Sequence, residues 1–303
     1  MNTSIYNYSF IIPHKNSPQL LQRCLNSIPR REDIQIIIVD DNSSPEILNC
    51  TEFLQIKGSE SNSSVKIIYT KEGKGAGYAR NVGLRHATGK WLLFADADDF
   101  YVKDFINILD KKINTNSDII YFNVYGFDNN KYWAYQRLDN LILNYDPSNI
   151  ETINEIKYCF WAPWNKMFSA DFIKRHHIEF DEIPVGNDAF FSLKASELSS
   201  SIEVIIDKLY CYVYNPNGIT ERKRDFEREL FFLNINFRIN RFLRKHKLFH
   251  KQVILFRPFI IRSIYNRFGF RKTASYLLYF IKRDSLFMNI YYFLYFKYHN
   301  MLP

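Results

Sequence analysis

The sequence predicts an α/β fold in which helices flank a mostly parallel sheet. Continuous apolar stretches occur in five runs, at residues 8–16, 34–44, 65–70, 90–99 and 117–124. Continuous rather than alternating apolar residues are typical of strands covered on both faces. Segments with apolar residues at helical spacing lie between them, at residues 18–28, 78–86 and 103–113, the first with Ser17 as a candidate N-cap. Alternating strands and helices indicate right-handed crossovers between parallel strands.

Acidic residues stand at the ends of two predicted strands. Asp40 and Asp41 end the second, and Asp96, Asp98 and Asp99 follow the fourth. Ligands of open α/β sheets bind beyond the carboxyl ends of the strands, and adjacent carboxylates are costly to desolvate without a cation or polar ligand. The Asp-x-Asp spacing puts two carboxylates on one side of an extended chain, which suits Mg²⁺ or Mn²⁺ shared with phosphate oxygens. For the Asp-x-Asp alone, a solvated turn is the alternative.

The order and spacing of these segments resemble those of family 2 glycosyltransferases with the GT-A (Rossmann-like) fold. The resemblance rests on "IIPHKN" at residues 11–16, "IIIVDDNSS" at 36–44 and "GAGYARNVGLRHATGKWLLFADADD" at 75–99. It is strong over residues 9–101 and weaker to about residue 220. It implies an inverting, metal-dependent enzyme of the hexosyl- or N-acetylhexosaminyltransferase type that serves bacterial surface polysaccharides such as capsule or lipopolysaccharide.

For the donor, the resemblance implies a nucleotide pocket at the ends of the first two strands. Pro13 and His14 would line it, and Asp41 would accept a hydrogen bond from a uracil N–H, with Asp40 beside it. Lys15 stands where relatives often have a tyrosine that stacks on the base. The resemblance favours a UDP-linked donor, while this departure leaves the base open.

For the diphosphate, the resemblance places Asp96 at the ribose, with Ala97 beside it at the nucleotide. Asp98, together with Asp96, would hold Mg²⁺ or Mn²⁺. Arg80 falls at the start of a helix that faces the nucleotide and would serve the diphosphate or hold Asp96. An exposed helix arginine is the alternative interpretation.

The second half carries the residues that the resemblance assigns to the acceptor. In "FWAPWNK", at residues 160–166, Trp161 and Trp164 offer ring faces for sugars, and Lys166 would fix a hydroxyl or phosphate. A core segment is the alternative. "GND", at residues 186–188, matches an acidic pair at the start of a helix, with Asn187 on the acceptor side and Asp188 as the catalytic base. For Asp188 the alternative is a helix N-cap without a catalytic role.

Charge divides the chain unevenly. Residues 1–221 contain 22 Lys and Arg and 28 Asp and Glu, a net charge of −6, whereas residues 222–303 contain 18 and 4, a net charge of +14. Together with the resemblance, which implies a nucleotide-sugar half to about residue 124 and an acceptor half at about 125–221, this division predicts a catalytic domain at residues 1–221. A basic, aromatic C-terminal helical extension at 222–303 would follow. No apolar run in it approaches the ~20 residues of a spanning helix, so it predicts peripheral contact with an anionic membrane or, alternatively, a packed helical subdomain.

Composition also bears on location and partners. The N-terminus has no basic region followed by an apolar core, and the four cysteines form no Cys-x-x-Cys pair. We expect a cytoplasmic protein, peripheral at the inner face of the bacterial cell membrane. The expected partners are a nucleotide diphosphate sugar and a glycan or lipid-linked acceptor, and not nucleic acid, because the aromatic residues follow a helical stripe. Two other functions stay open: a catalytically silent GT-A protein that binds membrane or glycan, and a sugar nucleotidyltransferase, although "PHKNSP" lacks the glycine-rich loop of the latter.

Overall fold

The computed structural model describes residues 6–58, 64–216, 218, 225–245 and 258–283. The chain divides into two compact units, Met1–Gly218 and Ile219–Pro303. The predicted boundary at residue 221 and the end of the predicted extension, residues 284–303, lie outside the described residues.

A sheet of nine described strands forms the centre of the first unit. The strands are β1 (Tyr6–His14), β2 (Ile34–Asp41), β3 (Val65–Thr70), β4 (Gly89–Phe94), β5 (Phe100–Tyr101), β6 (Ile119–Asp128), β7 (Lys131–Ala134), β8 (Lys166–Ser169) and β9 (Ile202–Val213). Their order is β3-β2-β1-β4-β8-β6-β9-β5, and β7 pairs with β6. The helices of this unit are α1 (Pro18–Ser27), α2 (Pro45–Leu48), α3 (Thr51–Gly58), α4 (Ala76–His86), α5 (Phe105–Asp110), α6 (Gln136–Leu143), α7 (Ile150–Tyr158), α8 (Ala170–Arg175) and α9 (Ala189–Leu198).

The sheet is parallel in its first half and mixed in its second. Strands β1, β2, β3 and β4 pair in parallel, as their continuous apolar runs predict. Strand β8 runs antiparallel to β4 and β6, whereas β9 is parallel to β6. The α/β fold is therefore confirmed, with the parallel part of the sheet confined to the first four strands and to the β6–β9 pair.

Buried aromatic residues fix the position of α9 against the sheet. Phe94, the last residue of β4, contacts Phe180 and Phe191 with ring centroids 5.0 and 5.4 Å away. Phe180 and Phe191 stack on each other at 3.9 Å. Because Phe191 lies in the first turn of α9, this cluster holds the start of α9 near the end of β4.

The start of α1 differs in one detail from the prediction. Ser17 occupies the N-cap position, but its side chain makes no capping hydrogen bond. Its hydroxyl donates instead to the carbonyl of Lys15, and its backbone N–H donates to His14 Nε2. The His14 ring therefore satisfies the backbone N–H of the N-cap residue, whereas the hydrogen bond expected from the first turn of α1 to the Ser17 hydroxyl is not made.

The second unit contains two described helices, α10 (Phe226–Lys245) and α11 (Pro258–Arg283). A small apolar cluster joins them, formed by Leu233, Phe237, Ile264, Tyr276 and Phe280. Helix α11 bends at Gly269, whose φ of 78° lies in the left-handed region that glycine tolerates. Within the described part of the chain, no helix combines the length and apolarity needed to cross a membrane.

Candidate functional site

His14, the last residue of β1, is the register partner of Asp40, the last residue but one of β2, and their side chains form a hydrogen bond that is shielded from solvent. His14 Nδ1 lies 2.8 Å from Asp40 Oδ2, and His14 Nε2 accepts the Ser17 backbone N–H. Since Nε2 accepts, Nδ1 carries the proton and donates to Asp40. Burial raises the pKa of Asp40, but the bonds from His14 and Ser43 outweigh burial and hold the pKa below its usual value. This geometry favours a role in joining the strand ends over direct contact with a nucleotide.

Asp41 is nearly buried and organises the rim of the predicted nucleotide pocket. Its Oδ2 accepts the backbone N–H of Gly75 at 2.8 Å, and its Oδ1 accepts the hydroxyl of Thr70 at 3.4 Å. The Lys15 ammonium lies 3.8 Å from Oδ2, and its side chain is 48% exposed. Pro13 is partly buried on the same strand end. The structure thus brings Pro13, Lys15 and Asp41 to one edge of the sheet.

Asp99 ties the turn after β4 to β9. Its carboxylate accepts the hydroxyl of Tyr210 and the backbone N–H of Val213, both at 2.8 Å. The same Tyr210 hydroxyl accepts the backbone N–H of Asp96 at 3.0 Å. Burial, and then the charges of Asp96 and Asp98, raise the pKa of Asp99 well above its usual value. Asp99 is therefore a buried anchor that shapes the Asp-x-Asp turn.

Asp98 is the partly buried carboxylate of that turn, with Ala97 buried before it. Its Oδ2 accepts a hydrogen bond from the neutral Asn215 amide at 3.2 Å. Burial, and then the charge of Asp96, raise the pKa of Asp98. A divalent cation would relieve both effects, so the side chain fits a metal ligand. Among the described residues no three His, Cys, Asp or Glu side chains are arranged to hold a metal ion, so diphosphate oxygens and water would complete its coordination.

Arg80 joins the Asp-x-Asp turn to the segment before α9. It donates to Asp96 Oδ1 at 2.5 Å and to Asn187 Oδ1 at 2.8 Å. Its guanidinium carbon lies 5.4 Å from the ring centroid of Phe180. The side chain is only 6% exposed, so the alternative of an exposed helix arginine does not hold. Asn81, the next residue, fixes the same segment by exchanging two hydrogen bonds with the Phe180 backbone, at 2.8 and 3.0 Å.

Asp188 lies at the N-cap position of α9, yet its side chain makes no capping hydrogen bond. In the described part of the chain, its carboxylate has no hydrogen-bond or ion-pair partner on another side chain. Burial raises its pKa, against the lowering effect of Arg80. The charge of Asp96 also raises this pKa, and that of Lys166 lowers it. The backbone N–H of Asp188 itself also lowers this pKa. A carboxylate without a side-chain partner and with a raised pKa is suited to accept a proton from a bound molecule.

The side chains predicted to meet the acceptor are differently placed. Trp164 is 6% exposed and stacks on Tyr210 at 5.4 Å, with 11° between the rings. Lys166 is fully buried, and its ammonium donates to the carbonyls of Phe160 and Ala162 and to Asn165 Oδ1. The core alternative thus describes Trp164 and Lys166 better. Trp161 is partly exposed, and its indole N–H donates to the Tyr158 carbonyl at 2.7 Å.

The structure also shows roles for single residues that sequence reasoning did not assign. Asp99 and Asn81 act as anchors through contacts with distant segments, and no local pattern marks those partners. Gly77 is a third case, because a Cβ there would lie 2.2 Å from the Asp181 carbonyl oxygen and 2.9 Å from Asn187 Cβ. Its glycine lets α4 approach the segment before Asp188.

Comparisons with known proteins agree with this architecture. The family model described as Glycosyl transferase family 2 matches residues 9–176. The uncharacterized glycosyltransferase EpsJ of Bacillus subtilis is 27% identical over 222 residues, which cover 70% of this chain and 62% of EpsJ. The poly(ribitol-phosphate) beta-N-acetylglucosaminyltransferase TarS of Staphylococcus aureus is 25% identical over 217 residues, covering 70% of this chain and 36% of TarS. The chain therefore spans less than two thirds of the length of these relatives.

Solved structures show the same fold. A structure of S. aureus TarS in complex with UDP-GlcNAc superposes with a TM-score of 0.62 at 21% identity, over 78% of this chain and 65% of that one. The likeness identifies the fold as GT-A. Because the family model covers more than half of the residues, this chain belongs to glycosyl transferase family 2.

Proposed function

We propose that the protein is an inverting, metal-dependent glycosyltransferase that moves a sugar from a UDP-linked donor to a hydroxyl group of a glycan or lipid-linked acceptor. The observation that carries the proposal is the placement of Asp188. Its carboxylate is left without a side-chain partner, and the neighbouring Asn187 is bonded through Arg80 to Asp96. The proposed base is thus linked, through Asn187 and Arg80, to the turn at which we expect the donor diphosphate to bind.

In the proposed reaction the acceptor hydroxyl loses its proton, and the anomeric carbon exchanges its bond to the diphosphate for a bond to the acceptor oxygen. The acceptor oxygen attacks the anomeric carbon while its proton passes to Asp188. The bond from that carbon to the diphosphate breaks, and the nucleoside diphosphate leaves with the electron pair. Attack opposite the leaving group inverts the anomeric centre. A metal at Asp98 would offset the charge on the diphosphate.

The relatives support the choice of donor and acceptor. TarS carries UDP-GlcNAc in one solved structure, and its name gives poly(ribitol-phosphate) as the acceptor and a beta-N-acetylglucosaminyl group as the cargo. On this chain we propose a UDP-hexose or UDP-N-acetylhexosamine donor and a surface polysaccharide or its lipid-linked precursor as the acceptor.

The surface of α11 supports a peripheral membrane contact as part of the proposal. Phe270, Leu278 and Ile281 are 75%, 58% and 52% exposed and fall on one side of the helix beyond the bend. Arg271 and Lys282 are exposed beside them. An apolar stripe edged by basic side chains, in a region of net charge +14, suits the surface of an anionic membrane.

The test compares Asp188→Asn with Asp181→Asn, which removes a neighbouring carboxylate from the same segment. A thermal-shift screen of UDP-sugars, with and without Mn²⁺, first identifies the donor. Release of UDP is then measured with polysaccharide fragments and lipid-linked sugars as acceptors. We expect Asp188→Asn to lower kcat by about 10²–10⁴-fold and to keep donor affinity, and Asp181→Asn to stay within a few-fold of the wild type.

Three results would contradict the proposal. A rate for Asp188→Asn within a few-fold of the wild type would place the base elsewhere. Wild-type protein that binds a UDP-sugar and never releases UDP would favour a catalytically silent binding protein. Retention of the anomeric configuration in the product would refute inversion.

A further inference from the structure

A cluster of aromatic side chains beside the β6–β7 hairpin and β9 lies outside the residues assigned so far. Trp133 is 41% exposed and is the register partner of Gly126 across the hairpin. Its indole covers that glycine, where a Cβ would lie 2.1 Å from Trp133 Cε2. Trp133 stacks with Tyr135 at 5.6 Å and 21°, and Tyr135 meets Tyr212 edge-on, also at 5.6 Å. Trp133, Tyr135 and Tyr212 are called the aromatic platform below.

The aromatic platform is continuous with the candidate site. Tyr135 also contacts Trp164 edge-on at 6.2 Å, and Trp164 stacks on Tyr210. The Tyr210 hydroxyl bonds to Asp99 and to the backbone of Asp96. Packed rings thus lead from an exposed tryptophan to the Asp-x-Asp turn.

The loop that contains Trp161 and Trp164 connects the aromatic platform with the proposed base, Asp188. Trp161, in the loop that contains Trp164, accepts through its carbonyl a hydrogen bond from the Ser192 hydroxyl in the first turn of α9. Helix α9 begins directly after Asp188. The aromatic platform therefore packs against the loop that borders the acceptor side of the proposed reaction.

The aromatic platform is better suited to bind a sugar ring than a membrane surface. A tryptophan opposite a glycine commonly covers exposed backbone, which explains the contact with Gly126 but not the partly exposed, near-parallel ring of Tyr135. An exposed tryptophan beside two partly exposed tyrosines can form a binding surface, and aromatic faces take the polarised C–H groups of a pyranose. Residues 1–221 carry a net charge of −6, which disfavours an anionic lipid surface.

We infer that the aromatic platform binds a neutral pyranose ring of the acceptor glycan, at a distance from the hydroxyl that reacts at Asp188. The inference rests on the proposed function and specifies its acceptor as a glycan with at least one further sugar beyond the reacting one. Trp133 then contributes to acceptor affinity and not to the chemical step.

The experiment measures binding of neutral oligosaccharides of glucose, galactose and N-acetylglucosamine by ligand-observed NMR and calorimetry. We expect the wild type to bind at least one of them and Trp133→Ala to weaken that binding at least about tenfold. Trp133→Phe should stay within about threefold, because it keeps a ring. Tyr132→Ala is the matched control, since Tyr132 is 57% exposed on the same strand but points to its other face.

A second variant reaches Trp133 without changing it. Gly126→Ala must displace the indole and should weaken the same binding. UDP affinity, measured in parallel, should be equal in all variants. A wild type that does not bind UDP would refute the proposed function without changing the result of the glycan-binding experiment.

Three outcomes would overturn the inference. They are a wild type that binds none of the oligosaccharides, a folded Trp133→Ala with wild-type affinity, and equal losses in Trp133→Ala and Tyr132→Ala. A loss in Trp133→Ala of binding to phosphatidylglycerol vesicles, with glycan binding kept, would assign the surface to lipid instead.

Discussion

Replacing Gly77 by alanine tests whether the close approach of α4 sets the position of the proposed base. The added methyl would lie 2.2 Å from the Asp181 carbonyl oxygen, about 1.2 Å short of the 3.4 Å at which ordinary contact begins. The atom in the way is backbone, so no rotamer change relieves the clash. Asp181 and Asn187 are also bonded to each other, through the Asp181 N–H and the Asn187 carbonyl. The segment before Asp188 must therefore move by about 1 Å.

A displacement of that size near the reacting atoms lowers kcat by about 10²-fold, and overpacking costs about 1–3 kcal/mol of stability. The assay is UDP release at saturating donor, with thermal unfolding measured beside it. Gly83→Ala is the matched control. Gly83 lies on the same helix, and its added methyl would lie 2.4 Å from Cγ2 of Ile11 in the core, away from Asp181. We expect Gly83→Ala to lose similar stability while keeping kcat within a few-fold. Equal kcat in Gly77→Ala and the wild type would refute the link between α4 and the base.

Three further predictions concern the metal, a buried ammonium and the membrane. Asp98→Ala should weaken Mn²⁺-dependent UDP binding at least about tenfold in a thermal-shift titration, and an unchanged Mn²⁺ dependence would contradict the assignment. Burial lowers the pKa of Lys166 from its ordinary 10.5 to about 7, so between these values the unfolded chain binds more protons than the native one. The stability of the wild type relative to Lys166→Met should therefore rise from about pH 7 towards pH 10, by at most about 5 kcal/mol in urea unfolding, and a constant difference would show that Lys166 stays charged. Arg271→Glu with Lys282→Glu should weaken binding to anionic vesicles by at least about 1 kcal/mol per site, and wild-type binding by the folded double variant would count against membrane contact.

The sequence predicted β1, β2, β3, β4 and β6 from their apolar runs. It missed three short strands and also β9, whose 12 residues include Glu203, Asp207 and Lys208 and therefore form no continuous apolar run. Strands β1, β2 and β4 carry uninterrupted apolar runs, which is the strongest local signal for a parallel strand. Strands β5, β7 and β8 have two to four residues, too few for any period to show. Their existence depends on pairing with distant segments.

The candidate site divides in the same way. Motif order placed Asp41, Asp96, Asp98 and Asp188 at the sheet edge and at a helix start, because strand and helix ends are local features. Residue type alone did not reveal that Trp164 and Lys166 face inward, since a tryptophan or lysine serves a core or a ligand equally well. The Arg80 bond to Asn187 spans 107 positions, and only the fold reveals such a pairing.

The anchoring of the Asp-x-Asp turn has a consequence for the order of folding. The partners of Asp98 and Asp99 are Tyr210, Val213 and Asn215, more than 110 residues further along the chain. When only the first 124 residues have been synthesised, strands β1 to β4 are present, but the groups that anchor the turn of the proposed donor site are not. The nucleotide-sugar half is thus not a self-sufficient module. The proposed donor site is therefore complete only when β9 has paired with β6 and closed contacts of high sequence separation.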